Sequence, residues 1–130
     1  MEAKKIIITG GATRIGSAIA KSLAGYDIDI IIHFNKSKKL AQQLKIELEE
    51  MGSKVYLIKA DLNNINQLKK IVPFAHKKMK GLDCLINNAS LFEKDNLETF
   101  NEKSFSRHIK INLKAPAFLI KDFKRYVKNK

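Results

Sequence analysis

Thr9-Gly10-Gly11-Ala12-Thr13-Arg14-Ile15-Gly16, TGGATRIG, joins two segments of different hydrophobic period. It follows an apolar run, KKIIITG, and opens into IGSAIAKSLAG. The run before it reads as a short strand buried on both faces. The segment after it carries Ile15, Ile19 and Leu23 at four-residue spacing, the stripe of a helix that ends near Gly25. A glycine-rich turn at such a junction lies beyond the carboxyl end of its strand, where parallel α/β sheets bind ligands. Gly10 and Gly11 permit tight backbone geometry, Ala12 keeps the approach clear for a bulky anion, and Gly16 lets the helix start close to the sheet. The unpaired N–H groups of that first turn, at Ile15 and Gly16, favour phosphate oxygens.

Working outward, the same alternation repeats. DIDIIIHF is a second strand, and SKKLAQQLKIELEEMG is an amphipathic helix with Leu40, Leu44, Leu48 and Met51 on one stripe and Gly52 as its stop. KVYLIKA is a third strand. A polar turn, DLNN, leads into INQLKKIVPFAHKKMKG, helical in pattern but interrupted by Pro73, which kinks or restarts it. LDCLIN is the fourth strand, and the polar loop EKDNLETFNEK separates it from a long apolar-patterned stretch beginning at Ser104. Helix-length connections between successive strands require a parallel sheet wound in right-handed crossovers. The expectation is one α/β domain over residues 1–130, a Rossmann-like three-layer α/β/α architecture.

Composition narrows the function. The chain has 130 residues and 45% hydrophobic content, room for one domain with a sizeable core. No apolar run approaches the roughly 20 residues of a membrane-spanning helix. The N-terminus enters strand-like sequence without the parts of a secretory leader. A cytoplasmic protein with no membrane partner is expected. Cys84, the single cysteine, lies in an apolar run and reads as a buried structural thiol; nothing offers metal-ligand spacing. The net charge of +12 comes mostly from lysines scattered over the whole length, without interleaved aromatics. That pattern argues against specific nucleic-acid binding and for attraction of small anionic ligands.

Four stretches in order resemble the short-chain dehydrogenase/reductase family. TGGATRIG resembles its TGxxxGxG loop, with Arg14 where the middle glycine usually stands, a variant similar to the pteridine-reductase branch. Ala60-Asp61-Leu62 ends the third strand, where the resemblance implies that Asp61 and Leu62 hold the adenine ring. Asn87-Asn88-Ala89-Ser90 resembles the family's NNAG, with Ser90 again similar to pteridine reductases; Asn88, Ala89 and Ser90 are then cofactor-side residues. KINLKAP resembles a later motif and implies Asn112 as the active-site asparagine. The resemblance as a whole implies carbonyl or pterin reduction by hydride transfer from a nicotinamide cofactor.

The choice of cofactor is read at the end of the second strand. An NAD-type site places Asp or Glu there for the ribose hydroxyls. This chain has His33-Phe34-Asn35-Lys36-Ser37-Lys38, with no carboxylate. Lys36, Ser37 and Arg14 could pair with a 2′-phosphate, which points to NADP(H). His33 and Asn35 are expected at the same rim, and Asn35–Ser37 also reads as a helix N-cap. His76 and His108 receive no role.

The family finishes its site with Ser, Tyr and Lys, the last two spaced Tyr-x-x-x-Lys. Tyr126 and Lys130 have that spacing, but they continue the helix that carries Asn112, about 21 Å along its axis at roughly 1.5 Å per residue. They are expected to be a coincidence. The resemblance therefore covers the cofactor half of the family's pattern, and the chain alone is expected to be inactive. It reads as a shortened reductase, as half of a split reductase completed by another chain, or as a non-catalytic NADP(H)-binding module. The last helix is apolar on two sides, with Phe105, Ile109 and Leu113 on one stripe and Ile111, Ala115 and Phe118 on another. Self-association through it, or docking of a complementing chain, is expected.

Overall fold

Ile6, Ile7 and Ile8 can all be buried at once only where both faces of their strand are covered. The computed structural model, which describes residues 2–127, has that arrangement. Strand β1 (Lys4–Ile8) lies between β2 (Ile28–Phe34) and β4 (Cys84–Ile86), and β3 (Lys54–Lys59) lies outside β2. The order is β3-β2-β1-β4, every pair is parallel, and Ile7 stands opposite Ile31 and Leu85. The α/β sheet expected from the alternating pattern is therefore present.

Helices α1 (Arg14–Leu23) and α2 (Lys38–Glu50) cover one face, where Ile30, Ile32 and Val55 pack against Ala20, Ala41, Leu44 and Leu48. On the other face Ile7 and Ile31 meet α3 (Ile65–Leu68), α4 (Ile71–Met79) and α6 (Ala115–Tyr126) through Leu68, Ile71, Val72, Ala75 and Leu119. Ile7, Ile8, Ile30, Ile31 and Ile32 are fully buried, each contributing about 1.5–3 kcal/mol. The two central strands thus anchor the core.

Two apolar stripes differ from expectation. On α1 the buried residues are Gly16 and Ala20, Ile19 of the expected stripe packs half-buried against the same core, and Ile15 and Leu23 are exposed. At Gly16 the helix lies so close to the glycine loop that no larger side chain fits. On α2 the buried line is Ala41, Leu44 and Leu48, with Leu40 and Met51 largely in solvent. Pro73 behaves as a restart: α3 ends at Leu68, and Pro73 occupies the first turn of α4, where its missing N–H costs nothing.

The final helical stretch is broken in phase. Between α5 (Glu102–Ile109) and α6 lies a π-helical turn, Lys110–Lys114. Pro116 accounts for it, because proline has no N–H for the carbonyl four residues back, at Asn112, and its ring crowds that carbonyl. One residue of extra length rotates the downstream helix by about 100°. Phe105, Ile109 and Leu113 consequently stay exposed, whereas Ile111, Ala115 and Phe118 turn onto the core.

The end of the sheet away from the glycine loop is tied down. Ser53 Oγ accepts the N–H of Gly25 and donates to its carbonyl, both at 3.0 Å. Lys5 N–H donates to the Asp83 carboxylate at 2.9 Å, and Asp83 N–H donates to the Lys5 carbonyl at 2.9 Å. β4 is short and half-buried, and no strand pairs with its outer side among the described residues. Cys84 lies on it, half-buried rather than buried as expected, because the sheet margin is open. Burial, and then the Asp83 charge, push its thiol above its ordinary pKa.

Candidate functional site

In a parallel sheet the loops after the strands gather at one end, and here two of them are knitted into a single unit. Thr9 is buried, and its Oγ1 accepts the N–H groups of Asn88 and Ala89, each at 3.0 Å. Asn88 donates its Nδ2 to the carbonyls of Thr9 and Gly10 at 3.1 Å. The glycine loop is thereby fixed to the end of β4.

Close approach explains the glycines. Gly10 has φ +60°, and a Cβ there would stand 2.9 Å from Ala89 Cα. A Cβ on Gly16 would collide with the Gly10 carbonyl and lie 2.6 Å from Asn88 Nδ2. Arg14 is different: at φ +48° it holds a left-handed conformation that costs a non-glycine residue about 1–2 kcal/mol. A glycine in the resembled loop would hold it without strain. The Arg14 side chain is exposed and has no ion-pair partner among the described residues.

The helix starts differ in their caps. Asn64 caps α3 by accepting from Asn66 and Gln67 N–H, and Asn101 caps α5 by accepting from Ser104 N–H. Thr13 and Ser37 stand at the N-caps of α1 and α2 with side chains able to do the same, and neither does. The N–H groups of Arg14, Ile15 and Gly16 have no acceptor within α1, whose first internal bond is Ser17 N–H to the Thr13 carbonyl at 3.2 Å. Ile15 is 70% exposed, so its side chain forms part of the lip. Beside it Asn35 and Lys36 are exposed after β2, with Ser37 half-buried.

His33 does not stand at this rim. It is 2% exposed, and both ring nitrogens are taken: Nδ1 accepts the Gly10 N–H at 3.0 Å, and Nε2 donates to the Ala60 carbonyl at 2.8 Å. Burial lowers its pKa from the ordinary 6.5, against the Ala60 hydrogen bond, which raises it. The expected direct contact with a cofactor gives way to support of the loop from behind. Leu62 likewise turns its side chain into the core. Asp61 stays at the rim, where its Oδ1 accepts the Asn63 N–H at 2.9 Å and its own N–H donates to Gln67 Oε1 at 2.7 Å. Ala89 is half-buried and Ser90 exposed on the facing loop.

Asn112 sits in the π-helical turn with its amide committed to one peptide. Oδ1 accepts the Leu91 N–H at 2.7 Å, and Nδ2 donates to the Leu91 carbonyl at 2.8 Å. Its donor and its acceptor both hold the loop after β4. His108 assists: Nε2 accepts the Glu93 N–H at 3.0 Å, Nδ1 donates to the Ser104 carbonyl, and Arg107 forms an ion pair with Glu93. Tyr126 lies elsewhere, its ring stacked 4.6 Å from His76 between α4 and α6. Lys130, which completes the coincidental spacing, lies outside the described residues. Thr9 and His108 escaped the sequence reading because their partners are far along the chain.

The profile of one family, described as short chain dehydrogenase, matches residues 4–130. The chain belongs to the short-chain dehydrogenase family. Among solved members, a short chain dehydrogenase from Burkholderia cenocepacia J2315 in complex with NADP superposes with a TM-score of 0.94 at 28% identity, covering 98% of this chain and 52% of that one. The FolM alternative dihydrofolate reductase 1 of Brucella canis, complexed with NADP, gives 0.86 at 29% identity, covering 95% and 50%. The short-chain dehydrogenase/reductase FrzI of Cladobotryum sp is 30% identical over 117 residues, 90% of this chain and 45% of that protein. The chain thus spans about half the length of the short-chain dehydrogenases it matches.

Proposed function

We propose that this chain is the coenzyme-binding part of an NADP(H)-dependent reductase acting on a small carbonyl compound or pterin. One observation carries the reading: the two helices that start beside the glycine loop and the end of β2 leave their first turns without a side-chain cap, where the segment after β2 holds no carboxylate and Arg14 and Lys36 are exposed. Two open helix N-termini suit two separate anionic groups. The N–H groups of Arg14, Ile15 and Gly16 would hold the diphosphate. Arg14, Lys36 and Ser37, with Asn35 beside them, would hold the 2′-phosphate through charge-assisted bonds. Asp61 and the Leu62 backbone would take the adenine, opposite Asn88, Ala89 and Ser90. The NADP complexes of the neighbouring structures support this assignment. The net charge of +12 also raises the local concentration of such a polyanion.

When bound, the reduced nicotinamide supplies a hydride. The chain's own residues bind and orient it: Thr9 and Asn88 fix the loop, and Asn112 fixes the segment after β4. Turnover needs in addition the family's Ser, Tyr and Lys, in a further segment or a second polypeptide. Arg14 and Ser90, together with the likeness to FolM, favour a pterin over a carbonyl compound. A calorimetric titration at moderate salt tests the cofactor: NADPH should bind roughly tenfold or more tightly than NADH, and Arg14→Ala should narrow the gap. Equal affinities in the wild type would overturn the reading.

A further inference from the structure

We infer that His33 is a positioning residue that sets the glycine loop for its ligand only while its ring is neutral. This rests on the coenzyme reading above. The geometry specifies one tautomer. Gly10 N–H needs an acceptor, which Nδ1 supplies at 3.0 Å, and the Ala60 carbonyl needs a donor, which Nε2–H supplies at 2.8 Å. One ring therefore joins the loop after β1 to the end of β3, and Gly11 N–H adds a third tie by donating to the His33 carbonyl at 3.1 Å. A protonated imidazole has two donors and no acceptor. The Gly10 N–H would then face an N–H in a buried place, and the loop would have to move to separate them. Gly10 is the residue at φ +60° that packs on Ala89, so displacement there spreads to the turn that opens α1.

The charged groups on the surrounding elements do not replace this control. Arg14 follows the loop, Lys36 follows β2, Lys59 and Asp61 flank Ala60, and Lys69, Lys70 and His76 lie on the α3–α4 side. All are exposed or half-exposed, Asp61 accepts from Asn63, His76 stacks on Tyr126, and none hydrogen-bonds to the ring. Burial is the largest influence on the ring and favours its neutral form.

The test measures NADP⁺ affinity from about pH 8 down to the lowest pH at which both proteins stay folded and the His33 ring is seen to protonate, for the wild type and for His33→Gln, whose side-chain amide keeps one acceptor and one donor but does not titrate. The 2′-phosphate titrates near pH 6 in both proteins, so the difference between the two curves belongs to His33. Below the lowered pKa of His33 the wild-type dissociation constant should rise by up to about tenfold per pH unit beyond that of the variant. In the cofactor-free wild type the Gly10 amide resonance should move with the titration of the His33 ring. Parallel affinity curves in a folded variant, or a Gly10 amide indifferent to the ring's titration, would overturn the inference while leaving the coenzyme reading intact. A wild type that binds neither NADP⁺ nor NAD⁺ at any pH would overturn both.

Discussion

Arg14 concentrates two demands on one position. Its backbone occupies the left-handed region, and its side chain is an exposed cation at the mouth of the proposed phosphate site. Glycine would remove the strain, about 1–2 kcal/mol, but at a cost of roughly 0.5–1 kcal/mol in unfolded-chain entropy. Arg14→Gly should therefore leave the urea midpoint nearly unchanged, within about 1 kcal/mol, while NADPH affinity falls roughly tenfold and NADH affinity stays level. Denaturation curves and titrations on the same preparation would show the separation. The position was legible in the sequence as a departure from the glycine pattern; that it carries positive φ was not, since residue type alone does not set the conformation. His33 shows the same limit: its place at the end of β2 was readable, but its inward direction depends on Gly10 and Ala60, 23 and 27 residues away.

At the level of elements, the succession of strands and helices and the interruption at Pro73 followed from periodicity and turn residues, because these are local properties. The buried stripes of α1 and α2 were only partly readable, since α1 buries Gly16, pressed against the glycine loop, and Ala20 instead of Ile15 and Leu23. The π-helical turn was hidden for a related reason: Pro116 could equally have ended the helix, and packing on the core decided against it. Helix caps give a direct test of which termini serve stability and which serve binding. Asn101→Ala removes a side-chain cap bond of 2.9 Å and should cost about 1 kcal/mol in thermal or urea unfolding. Ser37→Ala removes no cap bond, so stability should change by no more than a few tenths of a kcal/mol, whereas NADPH binding should weaken. A Ser37 variant as destabilised as the Asn101 variant would show that α2 is capped after all.

At the scale of the molecule, one helical face has no cover among the described residues. Phe105, Ile109 and Leu113 are 51%, 40% and 63% exposed along α5 and the π-helical turn, with the Phe100 ring edge-on to Phe105 at 5.8 Å. A row of this kind favours association. Sedimentation of the wild type should show a species larger than one chain, and Phe105→Lys combined with Ile109→Lys should return it to the monomer with its fold kept. A wild type that sediments as a monomer at all workable concentrations would remove the expectation. The apolar pattern that marks this face was plain in the sequence, but only the phase break at Lys110–Lys114 tells which of the two stripes faces outward. The open margin of β4 has a consequence of another sort. Cys84 is the chain's one sulfhydryl, half-sheltered and reluctant to ionise. Alkylating reagents should consume it slowly while that border is bare and more slowly still once anything is laid along it, which makes a native atom the chain's own gauge of whether its sheet has been extended.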